Sequence, residues 1–158
     1  MKIYSILGVI FVLAAITMWA LWGIGSFQLR RDTESFLERA QVAANAQDMY
    51  EYMSQLQKNM EERGMTEGHA ALIFRTPEND MSLIYKAIVS INERLLVVRN
   101  LPKDDTTYQV ALDDLRGTAR ELNLFAADWF AVSNWMWTRL GSFVTFILGA
   151  VLLVKGIM

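Results

Sequence analysis

The side chains best suited to catalysis or metal binding are one histidine and a group of methionines. His69 is the sole histidine, so a Ser/His/Asp triad would have to include it, and no serine lies in a G-x-S-x-G motif. Zinc sites with several histidines, and di-iron sites with a Glu-x-x-His on each of two helices, are excluded by the same count. Since His69 follows Gly68, we interpret it as a partly exposed turn residue.

Four methionines precede His69 at intervals that suit a helix. Thioether and imidazole groups can together bind Cu(I), but methionines at helical spacing more often fill a hydrophobic core. We therefore predict a core role and no metal site for this group, which consists of Met49, Met53, Met60 and Met65.

Pairs of acidic residues could bind a cation or a basic partner. Basic side chains, among them Lys58, Arg63 and Arg75, are interspersed with them, which is typical of a mixed, solvated surface. We predict that the chain is not an enzyme and has no catalytic or cofactor-binding residue. The acid pairs are Glu61-Glu62, Asp104-Asp105 and Asp113-Asp114.

Composition and charge exclude several kinds of binding partner and chemistry. The chain has 158 residues, 53% of them hydrophobic, and the apolar residues are concentrated at both ends. All 17 acidic residues lie between Asp32 and Asp128, which gives the middle of the chain a formal charge of −5. Such a domain lacks the positive field that attracts nucleic acid. The absence of cysteine excludes disulfides and thiolate catalysis.

The N-terminal apolar segment is long enough to cross a membrane. Residues 3–27 are 25 consecutive positions without a charge, whereas about 20 helical residues cross a ~30 Å hydrocarbon core. A cleaved signal peptide is the alternative, but the apolar run is long and no Ala-x-Ala pattern precedes Arg30. We predict a transmembrane helix within residues 1–27.

The C-terminal apolar segment reaches the same length only if it includes an arginine. Arg139 and Lys155 are separated by 15 uncharged residues, about 22 Å of helix. Including Trp135 to Thr138 completes a second span within residues 135–158. Arg139 would then lie one turn inside the membrane, with its side chain extending to the headgroups.

Tryptophans lie where both spans meet the middle of the chain. Because tryptophan favours the membrane–water interface, we predict that they mark the membrane face that carries the domain. The predicted membrane-interface residues are Trp19, Trp22, Trp129, Trp135, Trp137 and Arg139.

Small residues recur every four positions in the C-terminal span. Gly141, Thr145 and Gly149 share one helical face, and small residues at this spacing allow another helix to approach closely. We predict that this face contacts the first span or a symmetry mate.

Residues 28–134 show the periodicity of helices. An apolar stripe from Phe36 to Met60 predicts that the first span continues as one helix to Gly64. A second helix opens at Thr76-Pro77 and carries a wide apolar stripe from Met81 to Val98.

The last helix of this domain is capped by Asp104 or Asp105 and carries a stripe from Tyr108 to Trp129, after which it continues into the second span. Both spans must meet the domain at one membrane face. The connection between the long helices therefore returns from the distal tip, where we expect His69, and residues 68–76 would cover that distance in extended form or as a short helix.

The predicted fold is all-α. It is a membrane-anchored antiparallel helical bundle, related to a coiled coil, of three long helices with a short or extended fourth element. Its first and last helices are continuous with two transmembrane spans.

The charges flanking the spans bear on orientation. Lys2 and Lys155 mark one face and Arg30, Arg31 and Arg139 the other, so the positive-inside rule alone would place the domain in the cytoplasm. The short N-terminal tail is that of a signal anchor, however, and long loops translocate largely regardless of charge. We favour an integral protein of the bacterial inner (cytoplasmic) membrane with an extracytoplasmic domain.

Two spans around a helical domain resemble, in topology, the sensory half of bacterial chemoreceptors and sensor kinases. The resemblance implies a ligand sensor whose output comes from another polypeptide, because only three residues follow Lys155. Our leading hypothesis is a non-enzymatic accessory or scaffolding subunit that lies in membrane lipid and binds other membrane proteins, or a second copy, through its helices. The alternative is an extracytoplasmic small-ligand sensor.

Overall fold

The computed structural model describes residues 3–71, 73–133 and 136–157. A short 3-10 helix covers Pro77–Asn79, and the described residues contain no strand. The all-α prediction is therefore confirmed. The α-helices are α1 (Ile3–Gln41), α2 (Ala46–Glu62), α3 (Met81–Val98), α4 (Thr106–Glu121), α5 (Ala126–Ser133) and α6 (Met136–Ile157).

The first helix contains the charge-free N-terminal segment and extends beyond it. Its 39 residues correspond to about 58 Å of helix. Among the described residues, α1 is the one helix long and apolar enough to cross a membrane. The predicted continuity of this segment with a following helix is confirmed, but α1 ends at Gln41 and does not reach Gly64.

A turn at residues 42–45 separates α1 from α2. Asn45 caps α2, because its side-chain oxygen accepts a hydrogen bond from the backbone N–H of Asp48 at 2.9 Å. The hydroxyl of Tyr108 in α4 accepts another from the N–H of Ala46 at 2.8 Å. The cap and α4 thus supply partners for backbone groups that a continuous helix would satisfy internally.

The second helix runs back along α1 rather than away from it. The side chain of Asn59 donates to the carbonyl oxygen of Asp32, and Arg63 forms an ion pair with the Asp32 carboxylate. The C-terminal end of α2 is therefore level with the part of α1 that follows the charge-free segment. The prediction that Gly64 and His69 lie at the distal tip is wrong, since the chain reverses at residues 42–45 instead.

The core lies between α1, α2, α3 and α4, each of which packs against at least one of the others. The four methionines Met49, Met53, Met60 and Met65 are fully buried, as predicted. The stripe on α3 is also buried from Met81 to Val98. Asn92 is the buried polar residue within that stripe, and its side-chain amide donates to the carbonyl oxygen of Met53 and to Gln57 Oε1.

Two aspartates define the starts of α3 and α4. Asp80 accepts from the N–H of Ser82 at 2.9 Å, so α3 begins at Met81 and not at Thr76-Pro77. Asp105 accepts from the N–H of Thr107 at 2.7 Å, which confirms the predicted cap of the next helix. In both cases a carboxylate satisfies an N–H group that has no partner within the helix.

The last helix of the domain is not continuous with the C-terminal apolar helix. α4 ends at Glu121, and residues 122–125 are non-helical, with Phe125 at a positive φ of 46°. Trp129 lies in the separate helix α5, which packs against α1. The prediction of one helix from Tyr108 into the second span is therefore wrong, because the apolar periodicity continues across a segment that does not stay helical.

Candidate functional site

The most extensive helix contact outside the core joins α1 and α6. A Cβ on Gly8 would lie 2.8 Å from the Leu153 backbone nitrogen, and one on Gly156 would lie 2.8 Å from the Ser5 nitrogen. A Cβ on Gly149 would lie 3.0 Å from Val12 Cγ2. The two helices thus run antiparallel with their backbones in close approach, and we call this contact the seam.

Small residues build the seam at intervals of seven. Gly8 and the fully buried Ala15 occupy it on α1, and Ser142, Gly149 and Gly156 occupy it on α6. A seven-residue repeat keeps one face of each helix toward its neighbour over several turns. Small side chains at those positions allow the backbones to approach.

The domain-side end of the seam contains an aromatic cluster and a hydrogen bond. The indole N–H of Trp19 donates to Ser142 Oγ at 2.8 Å. The Trp19 ring also lies 5.9 Å from the Phe143 ring and 5.5 Å from the Phe146 ring, between centroids. Since the same register continues along both helices, the start of α6 is level with Gly25.

The predicted contact residues of α6 occupy different positions relative to the seam. Gly149 lies within it, whereas nothing lies within 4 Å of a Cβ built on Gly141. Thr145 is half-buried, and its hydroxyl donates to the Gly141 carbonyl oxygen of its own helix. The predicted face has a spacing of four, whereas the seam has a spacing of seven and follows Ser142, Gly149 and Gly156.

The predicted membrane-interface residues are also distributed unevenly. Trp19 lies at the end of the seam, Trp22 is half-buried beside it, and Trp129 is buried in the core cluster. Trp135 lies outside the described residues, as do the side chains of Trp137 and Arg139.

Apolar side chains cover the surfaces of α1 and α6 outside the seam and along its edges. They are large, exposed and contiguous along both helices. Exposed apolar surface of this extent marks a protein or membrane contact, and we call it the apolar belt. It comprises Ile3, Ile6, Leu7, Val9, Ile10, Phe11, Leu13, Ile16, Leu21, Ile24 and Phe27 of α1, and Leu140, Phe143, Val144, Ile147, Leu148, Val151 and Val154 of α6.

A cleft of about 450 Å³ opens between α5 and the segment that follows α2. The Arg63–Asp32 ion pair places it level with the part of α1 just beyond the charge-free segment. We call it the base cleft. Its lining includes Arg63, Glu67, His69, Arg75, Trp129 and Val132.

His69 lies beside an aspartate and a serine without forming a catalytic triad. His69 Nε2 is 3.8 Å from Asp80 Oδ2, and the hydroxyl of Ser82 donates to Asp80 Oδ1 at 2.7 Å. The hydrogen bonds from Ser82 hold the pKa of the Asp80 carboxyl below its ordinary value. Because the serine proton points to the carboxylate and not to the imidazole, His69 is not placed to activate this hydroxyl.

The acid pairs separate to different parts of the molecule. Glu61 lies near the base cleft and accepts a hydrogen bond from the Tyr85 hydroxyl at 2.6 Å, whereas Asp105 caps α4 at the distal end. Glu61 and Asp105 therefore do not share a site. Among the described residues, no group of three or more histidine or acidic side chains could hold a metal ion.

One face of α3 remains uncovered. Leu83, Leu96 and Val97 are exposed although they lie on a helix whose opposite face is core, and Val97 has 66% of its surface accessible. Val89 is half-buried on the same side. We call these four residues the outer face of α3.

Comparisons with protein families, with curated protein sequences and with solved structures found no match to this chain.

Proposed function

We propose that the chain is a two-pass integral membrane protein in which residues 1–27 and 135–158 are the spans and residues 28–134 form a helical bundle at one membrane face. The observation that carries this proposal is the apolar belt, which runs along α1 and α6 outside the seam and along its edges. Lipid solvates such a surface, whereas water does not.

The seam supports the inclusion of α6 as a span. The apolar part of α6, Leu140–Gly156, is shorter than a typical span by itself. All 22 residues of Met136–Ile157, however, correspond to about 33 Å of helix, and the helix contacts α1 from Ser142 to Gly156. Arg139 would then lie near the headgroups, where long basic side chains extend toward water.

We further propose that the membrane is a bacterial inner membrane and that the helical bundle lies on its extracytoplasmic side.

Resistance to extraction by alkaline carbonate tests whether the chain is inserted in the membrane. Intact mass spectrometry of the inserted protein tests the signal-peptide alternative, because a cleaved chain would lack the N-terminal segment of α1.

Within this architecture we propose a non-enzymatic accessory role, in which the outer face of α3 contacts a partner membrane protein or a second copy of the chain. Exposed apolar side chains on a helix that already supplies the core are typical of an interaction surface. Val97 lies at the most exposed position of this face.

Photo-crosslinking in native membranes tests the accessory role. A crosslinking amino acid at Val97 should give one discrete adduct, while the same substitution at the exposed Glu51 of α2, on a different helix, should give none. An adduct of twice the chain mass indicates a homo-oligomer, and a larger or smaller one indicates a different subunit, which should also copurify in mild detergent. A lone monomer at native expression, without adduct at either position, would overturn the accessory role.

A further inference from the structure

The segment between α2 and α3 presents the two most exposed large apolar side chains among the described residues. Ile73 is 81% exposed and Phe74 is 80% exposed. They precede Arg75, which is also exposed and forms no ion pair with a described residue. Two adjacent apolar side chains followed by a free cation suit a surface that is apolar inside and phosphate-rich outside.

The segment is held in a defined position by backbone hydrogen bonds at its base. The N–H of Ala70 donates to the carbonyl oxygen of Asn79 at 2.8 Å, and the N–H of Met81 donates to that of Gly68 at 2.9 Å. The side chain of Asn79 also donates to the carbonyl oxygen of Phe74 at 2.9 Å. The apolar pair is therefore carried on a loop closed by these bonds, of which the structure describes residues 70–71 and 73–79 and which we call the base loop.

The base loop lies at the end of the domain that adjoins the spans. Ala71 and Arg75, on either side of the apolar pair, line the base cleft together with Val132 of α5. The neighbouring Phe130 touches Gly25, because a Cβ built on that glycine would lie 2.7 Å from its ring. The loop is thus close to the point where the charge-free segment of α1 ends.

We propose that the base loop is a third membrane contact, in which Ile73 and Phe74 enter the interfacial layer of the bilayer and Arg75 binds lipid phosphate. The inference rests on the proposed two-pass architecture, which supplies the adjacent bilayer. Apolar side chains at this depth leave water, as in interfacial helices that bury one face at the headgroup boundary. The guanidinium of Arg75 pairs with phosphate oxygens.

The domain end of the apolar belt has the same kind of sequence as the base loop, an exposed apolar side chain followed by exposed arginine. Phe27, at the domain end of the belt, is exposed on α1, and Arg30 and Arg31 follow it within one turn. Both arginines are more than half exposed. In both segments, apolar side chains that would enter the membrane are thus followed by arginines that would bind lipid headgroups.

Site-directed spin labelling tests this proposal, and the chain has no native cysteine to interfere. Single cysteines at Ile73, at Val144 of the apolar belt and at Lys103 near the distal end would each carry a nitroxide. The full chain would be reconstituted in vesicles of phosphatidylcholine and phosphatidylglycerol. Collision rates with oxygen, which concentrates in lipid, and with a water-soluble nickel complex report depth.

We expect the oxygen-to-nickel ratio at position 73 to lie between the high ratio at 144 and the low ratio at 103, and to be several-fold above the latter. Phe74→Ser together with Arg75→Glu should lower the ratio at 73 toward that at 103 without changing the melting temperature in detergent, since both side chains are exposed. A ratio at 73 equal to that at 103, with 144 still in lipid, would overturn the base-loop contact and make a protein partner the better occupant. A water-exposed label at 144 would instead overturn the two-pass architecture.

Discussion

Gly8 and Gly149 face each other across the seam at a separation that leaves no room for a side chain. A Cβ on Gly8 would lie 2.9 Å from the Gly149 carbonyl oxygen, and a Cβ on Gly149 would lie 3.1 Å from the Gly8 carbonyl oxygen. In lipid, where apolar burial gives no drive to association, helices associate through such close packing and through hydrogen bonds. The stability of the seam should therefore depend on these glycines.

Replacing Gly149 by leucine should separate α1 from α6. Overpacking of this kind costs about 1–3 kcal/mol, measurable as a lower free energy of unfolding in mixed micelles. Gly141→Leu is the matched control on the same helix, because its Cβ meets open space, and its effect should stay within about 0.5 kcal/mol. Equal losses for both variants would show that the seam is not the contact described.

The Trp19–Ser142 hydrogen bond should contribute a measurable coupling between the two helices. In a double-mutant cycle with Trp19→Phe and Ser142→Ala, we expect a coupling energy of about 0.6 kcal/mol, typical of such bonds in membranes. Phenylalanine retains an aromatic ring beside Phe146, so the cycle isolates the indole N–H. Strict additivity of the two single losses would exclude a role for the bond.

The hydrogen bond from Tyr85 to Glu61 should give stability a pH dependence that phenylalanine removes. This bond lowers the pKa of Glu61 and raises the pKa of Tyr85, and it is the main cause of both shifts. The Glu61 contribution is present above the ordinary carboxyl pKa of 4.5 and is lost as pH falls through the lower, folded pKa. The contribution of Tyr85 to stability is present below its ordinary pKa of 10.0 and is lost as pH rises through its higher pKa in the folded state.

Tyr85→Phe should therefore destabilise the protein between these two limits, by less than about 1 kcal/mol because Glu61 is exposed. The difference from the wild type should shrink at both ends of a pH series of melting curves. Tyr52→Phe serves as the control, since Tyr52 packs against the core and its hydroxyl bonds to no described residue. The same pH profile in both variants would contradict the assignment.

Sequence periodicity predicted the elements better than their connections. The stripes on α2 and α3 are buried as predicted because each follows a single helical face. The turn at residues 42–45 was missed because the apolar period continues through it, from Ala40 to Ala46. The local signal was the Asn45–Asp48 pair, which forms the cap of α2. The other partner of the turn, Tyr108, is distant in sequence, so its contribution could not be read locally.

Two features of the candidate sites depend on tertiary structure. Gly141 and Gly149 share a spacing of four, but which face of α6 meets α1 is decided by the register that pairs Trp19 with Ser142. Ile73 and Phe74 are apolar residue types, which usually pack in a core, yet the base loop leaves both exposed. The sequence shows which residues are apolar, but only the fold determines whether an apolar side chain contacts protein, solvent or lipid.

The most direct measurement of the central claim is the sidedness of two cysteines in the otherwise cysteine-free chain. One would replace Lys103 in the α3–α4 connection, and the other would be added after Met158. Two spans with an extracytoplasmic domain predict that a membrane-impermeant maleimide labels the Lys103→Cys protein in intact cells and labels the C-terminal cysteine only after lysis. The reverse pattern would agree with two spans but would place the domain in the cytoplasm. Labelling of both cysteines on the same side would contradict the proposed crossing by α6 and with it the two-pass architecture.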